Sequence, residues 1–311
     1  MKSKAKELNI GASFSLHRCS ELEIDKRRCL ESALRDLGLR HFRLMTYWNI
    51  HEPMPGKYNF SELDWQIKLI AKYEGTISLC LGKRQPRWPE CHMPEWAQKL
   101  SQEEWREALL TYINTVVSRY KDLPVIVSWQ LENEAKLKAF GHCPDQDYSS
   151  SRLRNEFALV QRLDPNRPVI MSLSNNWGIP FQRPIPDIFG ISIYTLMSYG
   201  GKEVRRSIFS PAWHRFRAKL LWLLFRRTTM IHELQTEPWL NKPVLSCKTE
   251  YLHAQFGPQH FAATVEFAKK TGIESADLWG LEYWYWLKAN RHDNRMWTEA
   301  KKIIRENYSV S

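Results

Sequence analysis

Along the whole chain, short apolar runs alternate with longer stretches in which apolar residues recur every three or four positions. The short runs read as buried strands and the longer stretches as amphipathic helices. Strands are expected at 8–14, 41–47, 76–81, 124–131, 168–173, 188–194, 228–234 and 276–281. Helices are expected at 23–37, 61–72, 101–120, 149–163, 211–225, 258–271 and 295–306. Gly38 closes the first helix, and Ser101 with Glu104 forms a capping-box pattern at the start of the third. Strand followed by helix, repeated from end to end, predicts an α/β chain that folds as one (β/α)8 barrel over residues 1–311. No GxGxxG or GxxxxGK[ST] loop interrupts the series, which weakens nucleotide-binding alternatives. LLWLLF at 220–225, flanked by Lys219 and Arg226-Arg227, has the look of a membrane-docking segment. As the sixth barrel helix, however, it is expected to turn its apolar residues towards the strands. The longest connections follow strands 2, 3, 4, 6 and 7, all at one end of a barrel, where loops build clefts.

Composition adjusts this picture in three ways. With 43% hydrophobic and 25% charged residues the chain is ordinary for a globular protein, but its 14 tryptophans are not. Trp88, Trp96, Trp177, Trp239, Trp284 and Trp286 fall in polar or Pro-rich stretches, where flat rings suit the apolar faces of sugars. Net charge is +11, concentrated in part in Arg205, Arg206, Arg215, Arg217, Lys219, Arg226 and Arg227. No nucleic-acid motif accompanies these residues, so a solvated basic face is the expected reading. The N-terminal MKSKAKELNIGAS has no apolar stretch, and no run of 18 apolar residues exists, so neither a leader nor a transmembrane helix is expected. Six cysteines without paired spacing read as free thiols in a reducing cytoplasm. Cys91-His92 lacks a second pair at metal-ligand spacing, and no cofactor is expected.

The chemistry lies in two strand ends. VIVSWQLENEA, residues 125–135, runs from a β-branched strand into Asn133 and Glu134. TTMIHELQTE, residues 228–237, carries Glu233 just past the apolar Met230 and Ile231. Two carboxylic acids delivered by two strands are the minimum equipment for breaking a glycosidic bond, and an adjacent amide can hold a sugar 2-hydroxyl. Glu237 follows four residues beyond Glu233 and is the alternative acid, read as a substrate contact or as a partner supporting the residues that touch substrate. Glu282, beside Tyr283 and Trp284, is a further substrate-contact candidate. His51 and Glu52 line a cleft or simply form the turn before Pro53. Arg84, Arg87 and Trp88 bind sugar hydroxyls or pack their own Pro-rich loop.

On these residues the chain resembles the clan A glycoside hydrolases, a large barrel group that includes cellulase-like and β-galactosidase-like enzymes. WQLENEA matches their strand 4 signature and RTTMIHELQ is similar to the strand 7 one. The resemblance implies a retaining β-glycosidase with Glu134 as acid/base and Glu233 as nucleophile. HFRLMTYWNIHEPMPGKYNFSELD places Arg43 where the clan supports the nucleophile, IYTL places Tyr194 where a Tyr bonds it, and DLWGLEYWYW places Trp279 where a sugar-platform Trp is common. The departure is HELQTEPW, because the clan usually shows one Glu here followed by Gly or an aromatic. The implied partner is a β-linked oligosaccharide, and bulky rings at one end suggest a pocket for short chains. A catalytically silent glycan-binding barrel would need neither acid, and a transglycosylase would use both. A metal-dependent barrel would need convergent His and Asp at strand ends, where only His232 stands.

Overall fold

The computed structural model describes residues 8–87, 89–137, 143, 147–174, 183–197 and 204–308. Its long strands are β1 (Asn9–Phe14), β2 (His41–Met45), β3 (Thr76–Leu81), β4 (Ile126–Leu131), β5 (Val169–Ser174), β6 (Ile188–Ile193), β7 (Thr228–Gln235) and β8 (Ser275–Trp279). They pair in the order β1-β8-β7-β6-β5-β4-β3-β2 and close into a barrel. Pairing is parallel where β1 meets β8, β8 meets β7, β3 meets β4 and β4 meets β5. The strands are buried along most of their length, as expected where helices cover a parallel sheet.

The described residues form two compact units, one of 8–42 and 191–308, the other of 43–174 and 183–190. In the second, α3 (Ser61–Lys72), α4 (Gln102–Tyr120) and α5 (Ser150–Leu163) follow the predicted segments. The Ser101 and Glu104 capping box forms as read, and Ser149 caps α5 through Arg152 N. Leu81 stands level with Leu131, so Gly82 and Glu132 leave the sheet side by side.

The first unit departs more from the pattern. In place of one helix over 23–37 the chain makes α1 (Leu16–Glu21), α2 (Lys26–Ser32) and a π-turn over Ala33–Leu37, closed by Gly38 at φ 76°. After α6 (Pro211–Phe225) and α7 (Pro258–Thr271), the segment expected to extend the last strand to 281 is instead a helix, α8 (Leu281–Asn290), followed by α9 (Arg295–Tyr308). Gly280, at φ 151°, makes the break, and a Cβ there would stand 2.9 Å from the Thr236 carbonyl. Trp284 and Trp286 lie on this helix and are fully buried, so they pack the core and are not rings open to a sugar. The expectation for α6 is also overturned. Leu221 is buried, but Trp222, Leu223 and Leu224 are 52%, 60% and 49% exposed. No helix among the described residues is long and apolar enough to cross a membrane. The cysteine reading changes too, since Cys91 and Cys143 form a disulfide and only Cys19, Cys29, Cys80 and Cys247 are free.

Candidate active site

The tip of β4 is held in a conformation that side chains rarely adopt. Glu132 and Glu134 have φ of 53° and 45°, in the left-handed region, so the surrounding contacts must hold them there. Those contacts come from the neighbouring loop. Glu132 N–H donates to the Leu81 carbonyl, Asn133 N–H to that of Arg84, and Arg84 Nε back to that of Asn133, at 2.9, 2.9 and 3.0 Å. The Glu132 carboxylate in turn accepts from Lys83 N and Arg84 N at 3.0 and 2.9 Å. A Cβ on Gly82 would fall 2.6 Å from Glu132 Oε1, so only glycine leaves room for that carboxylate.

Arg152 of α5 secures it from behind, donating Nη1 to Glu132 Oε1 at 2.8 Å and also to Glu156, while Asp147 faces Arg152 and Arg106. Burial pushes the Glu156 carboxyl up to about 8, against the pull of Arg152.

Asn133 is locked more tightly still. Its Oδ1 accepts from Arg43 Nη2 at 2.8 Å and Ser172 Oγ at 3.2 Å, and Arg43 Nε donates to Gln130 at 2.7 Å. A guanidinium can only donate, so the atom facing it is the amide oxygen, and Nδ2 is left to donate elsewhere. Glu134 N–H donates to Ser172 Oγ at 2.7 Å. Ser172 and Gln130 were not singled out in the sequence. Buried polar residues inside barrel strands were the available signal. Arg43 is fully buried and grips Asn133, so in this structure it positions a neighbour and offers no surface of its own.

In the other unit Glu233 is the sixth of eight residues in β7, within the strand expected over 228–234. Its Oε2 accepts from Tyr194 Oη at 2.8 Å, and His232 Nε2 lies 3.7 Å from Oε1. Tyr194 follows β6 and meets Trp239 edge-on with ring centroids 5.2 Å apart. Gln235, on the same strand face as Glu233, fixes that segment. Its Oε1 accepts from Thr195 N and Leu196 N at 2.9 Å each, and its Nε2 donates to the Leu196 carbonyl at 2.7 Å. Gln235 was missed in the sequence because glutamine at a strand end looks like any polar boundary residue.

Glu237 is buried and accepts from Arg18 at 3.4 Å, which also bonds Glu21. Trp279 ends β8 level with Gln235. Glu282 has no exposed surface, and its carboxylate accepts the Ser15 N–H at the start of α1.

Further candidates make local contacts. Glu52 accepts from Trp48 Nε1 and Gly56 N at 2.7 and 2.8 Å, so it builds the turn. Trp96 donates to the Glu52 carbonyl, Arg84 pairs with Glu90, and the His92 ring packs on Tyr47. Trp88 and Trp177 lie outside the described residues. Among the described residues no group of three or more His, Cys, Asp or Glu could hold a metal.

A family model of family 42 glycoside hydrolases, described as beta-galactosidase, matches residues 27–181. Over that stretch the chain is similar to the beta-galactosidases of clan A. Beta-galactosidase Bga of Halorubrum lacusprofundi is 26% identical over 121 residues, which is 33% of this chain and 17% of that protein. The chain therefore aligns with about a sixth of that curated relative. In three dimensions the chain is similar to the polyextremophilic beta-galactosidase of the same archaeon, with a TM-score of 0.63 at 15% identity, covering 98% of this chain and 58% of that one. It is also similar to GH5_18 from Streptomyces cattleya in complex with GlcNAc, at TM-score 0.67 and 14% identity, covering 99% and 82%. These structural likenesses carry the barrel fold.

Proposed function

We propose that this clan A barrel is a retaining β-glycosidase acting on β-linked oligosaccharides. Glu233 attacks the anomeric carbon while Glu134 passes its proton to the leaving oxygen, and Glu134 then takes a proton from water to release the sugar. The observation that carries the reading is Asn133. Three donors hold its oxygen, so its N–H pair is preset to grip the 2-hydroxyl, a contact that strengthens in the transition state. Tyr194 supports Glu233 over Glu237 as nucleophile, because its hydroxyl steadies one carboxylate oxygen while Glu237 is taken up by Arg18. Trp279 is the proposed sugar platform. Arg43 and Glu282 act through the residues they hold, and Glu237 acts through Arg18.

The beta-galactosidase relatives make aryl β-galactosides the first substrates to try. Glu233→Ala should abolish turnover, with azide restoring it as an α-glycosyl azide. Glu134→Ala should spare substrates with good leaving groups, and azide should then give the β-product. Equal losses for all leaving groups in Glu134→Ala would defeat its role as acid. A ligand-bound crystal structure should place the two carboxyl groups about 5–5.5 Å apart, and about 7 Å or more would favour inversion. The cytoplasmic location expected from unpaired cysteines loses that support, because disulfides such as Cys91–Cys143 are rare where thiols are kept reduced.

A further inference from the structure

The outer face of α6 leaves large apolar side chains open to solvent. Phe216, Trp222 and Leu223 share one exposed stripe, 51%, 52% and 60% accessible, with Leu224 at its edge and Ile208 before the helix 89% accessible. Phe209, Trp213 and Phe216 stack in series along the approach, with ring centroids 6.1 and 5.8 Å apart. Large apolar side chains gathered on one surface mark an interaction site, whereas single exposed ones mean nothing.

What surrounds them selects the partner. Arg215 and Lys219 lie on the same stripe, Arg226 and Arg227 follow it, and Arg205 and Arg206 precede it, all exposed. No acidic residue occurs between Val204 and His232. A nucleic acid or acidic glycan would be satisfied by the charges alone and would leave Trp222, Leu223 and Leu224 in water. A second copy of this face would set like charges against each other. A bilayer with anionic headgroups accepts both components, since leucines and the indole enter the interface while the long basic side chains reach back to the phosphates. Trp222 already carries the Arg226 guanidinium 4.3 Å from its ring, a pairing suited to the headgroup level.

We infer that α6 and its basic flanks form a reversible docking surface for anionic phospholipid membranes. The helix lies on the bilayer and does not cross it. This inference is independent of the glycosidase reading and is tested without measuring activity.

The full chain should float with phosphatidylcholine vesicles containing phosphatidylserine and not with pure phosphatidylcholine vesicles, and added salt should release it. Arg226→Gln should weaken binding about five-fold at low salt, the effect of one basic residue near such a surface. Leu223→Ser/Leu224→Ser should weaken it at least about ten-fold while leaving the circular dichroism spectrum and melting temperature unchanged, because both side chains are already exposed. Three results would overturn the inference. The first is no flotation with anionic vesicles. The second is vesicle binding that the double serine variant leaves intact, which would make the surface a general polyanion binder shared with RNA or heparin. The third is concentration-dependent dimerisation in sedimentation velocity, abolished by the double variant in a chain that ignores vesicles.

Discussion

The placement of Asn133 and Glu134 just past a strand end was legible because a β-branched run stops shortly before them. What the letters could not carry is the direction of the amide, which depends on Arg43 and Ser172, residues ninety and thirty-nine positions away in sequence. His214 is the opposite case, a residue with no visible motif and a measurable consequence. Burial, with Arg217 adding its positive charge, holds its imidazole down to about 4. The folded value lies below the ordinary 6.5, so between pH 6.5 and 4 the unfolded chain binds the proton more readily. Stability from this group is complete above pH 6.5 and is lost as pH falls to about 4, on the order of 3 kcal/mol in all. In His214→Gln, melting temperature measured from pH 7 to pH 4.5 should therefore fall less steeply than in the native chain. Parallel slopes would remove His214 from the account of acid sensitivity.

At the scale of elements, local signals that fix an end were read correctly. The helices over 61–72, 211–225 and 258–271 and the strand over 76–81 lie where periodicity places them, and the capping box at Ser101 forms. LEYWYW was misread as a loop after the last strand because rings gathered around Glu282 show neither period, and the helix start depends on the backbone of Gly280. The faces of α6 were misread for a related reason, since counting apolar residues cannot say which of them the sheet will cover.

The interlock between the loops after β3 and β4 gives the element-scale prediction. Alanine at Gly82 would be pressed against Glu132 Oε1 and forced to keep φ 102°. Gly82→Ala should cost roughly 1–3 kcal/mol in urea melts. If the proposed chemistry holds, it should also lower kcat more than it raises KM on an aryl β-glycoside, because the shifted tip carries Glu134. Unchanged melts and kinetics would mean that Glu132 moves aside and the interlock is dispensable.

For the molecule as a whole, the order of strands was enough to predict a closed barrel, and the likeness to solved barrels extends over 98% of the chain. The cross-link was not predictable. Cys91 and Cys143 are 52 residues apart, follow different strands, and belong to no paired spacing, so only folding brings their Cα atoms to 5.2 Å. Its effect is a property of the entire unfolded chain. Closing a loop of that length removes denatured-state freedom worth about 4 kcal/mol in the chain-entropy treatment, an upper figure wherever the unfolded chain keeps residual structure. Both ends sit in the unit that holds Glu134, so stability there should respond to reductant. Dithiothreitol should lower the denaturant midpoint of the native protein by an amount close to that of Cys91→Ser/Cys143→Ser, and should leave the variant unaffected. The free Cys19, Cys29, Cys80 and Cys247 are all buried, which keeps the readout specific to this bond. A native protein whose melt ignores reductant, while mass spectrometry of alkylated chains finds all six thiols, would return the chain to the reducing compartment that its scattered cysteines first suggested.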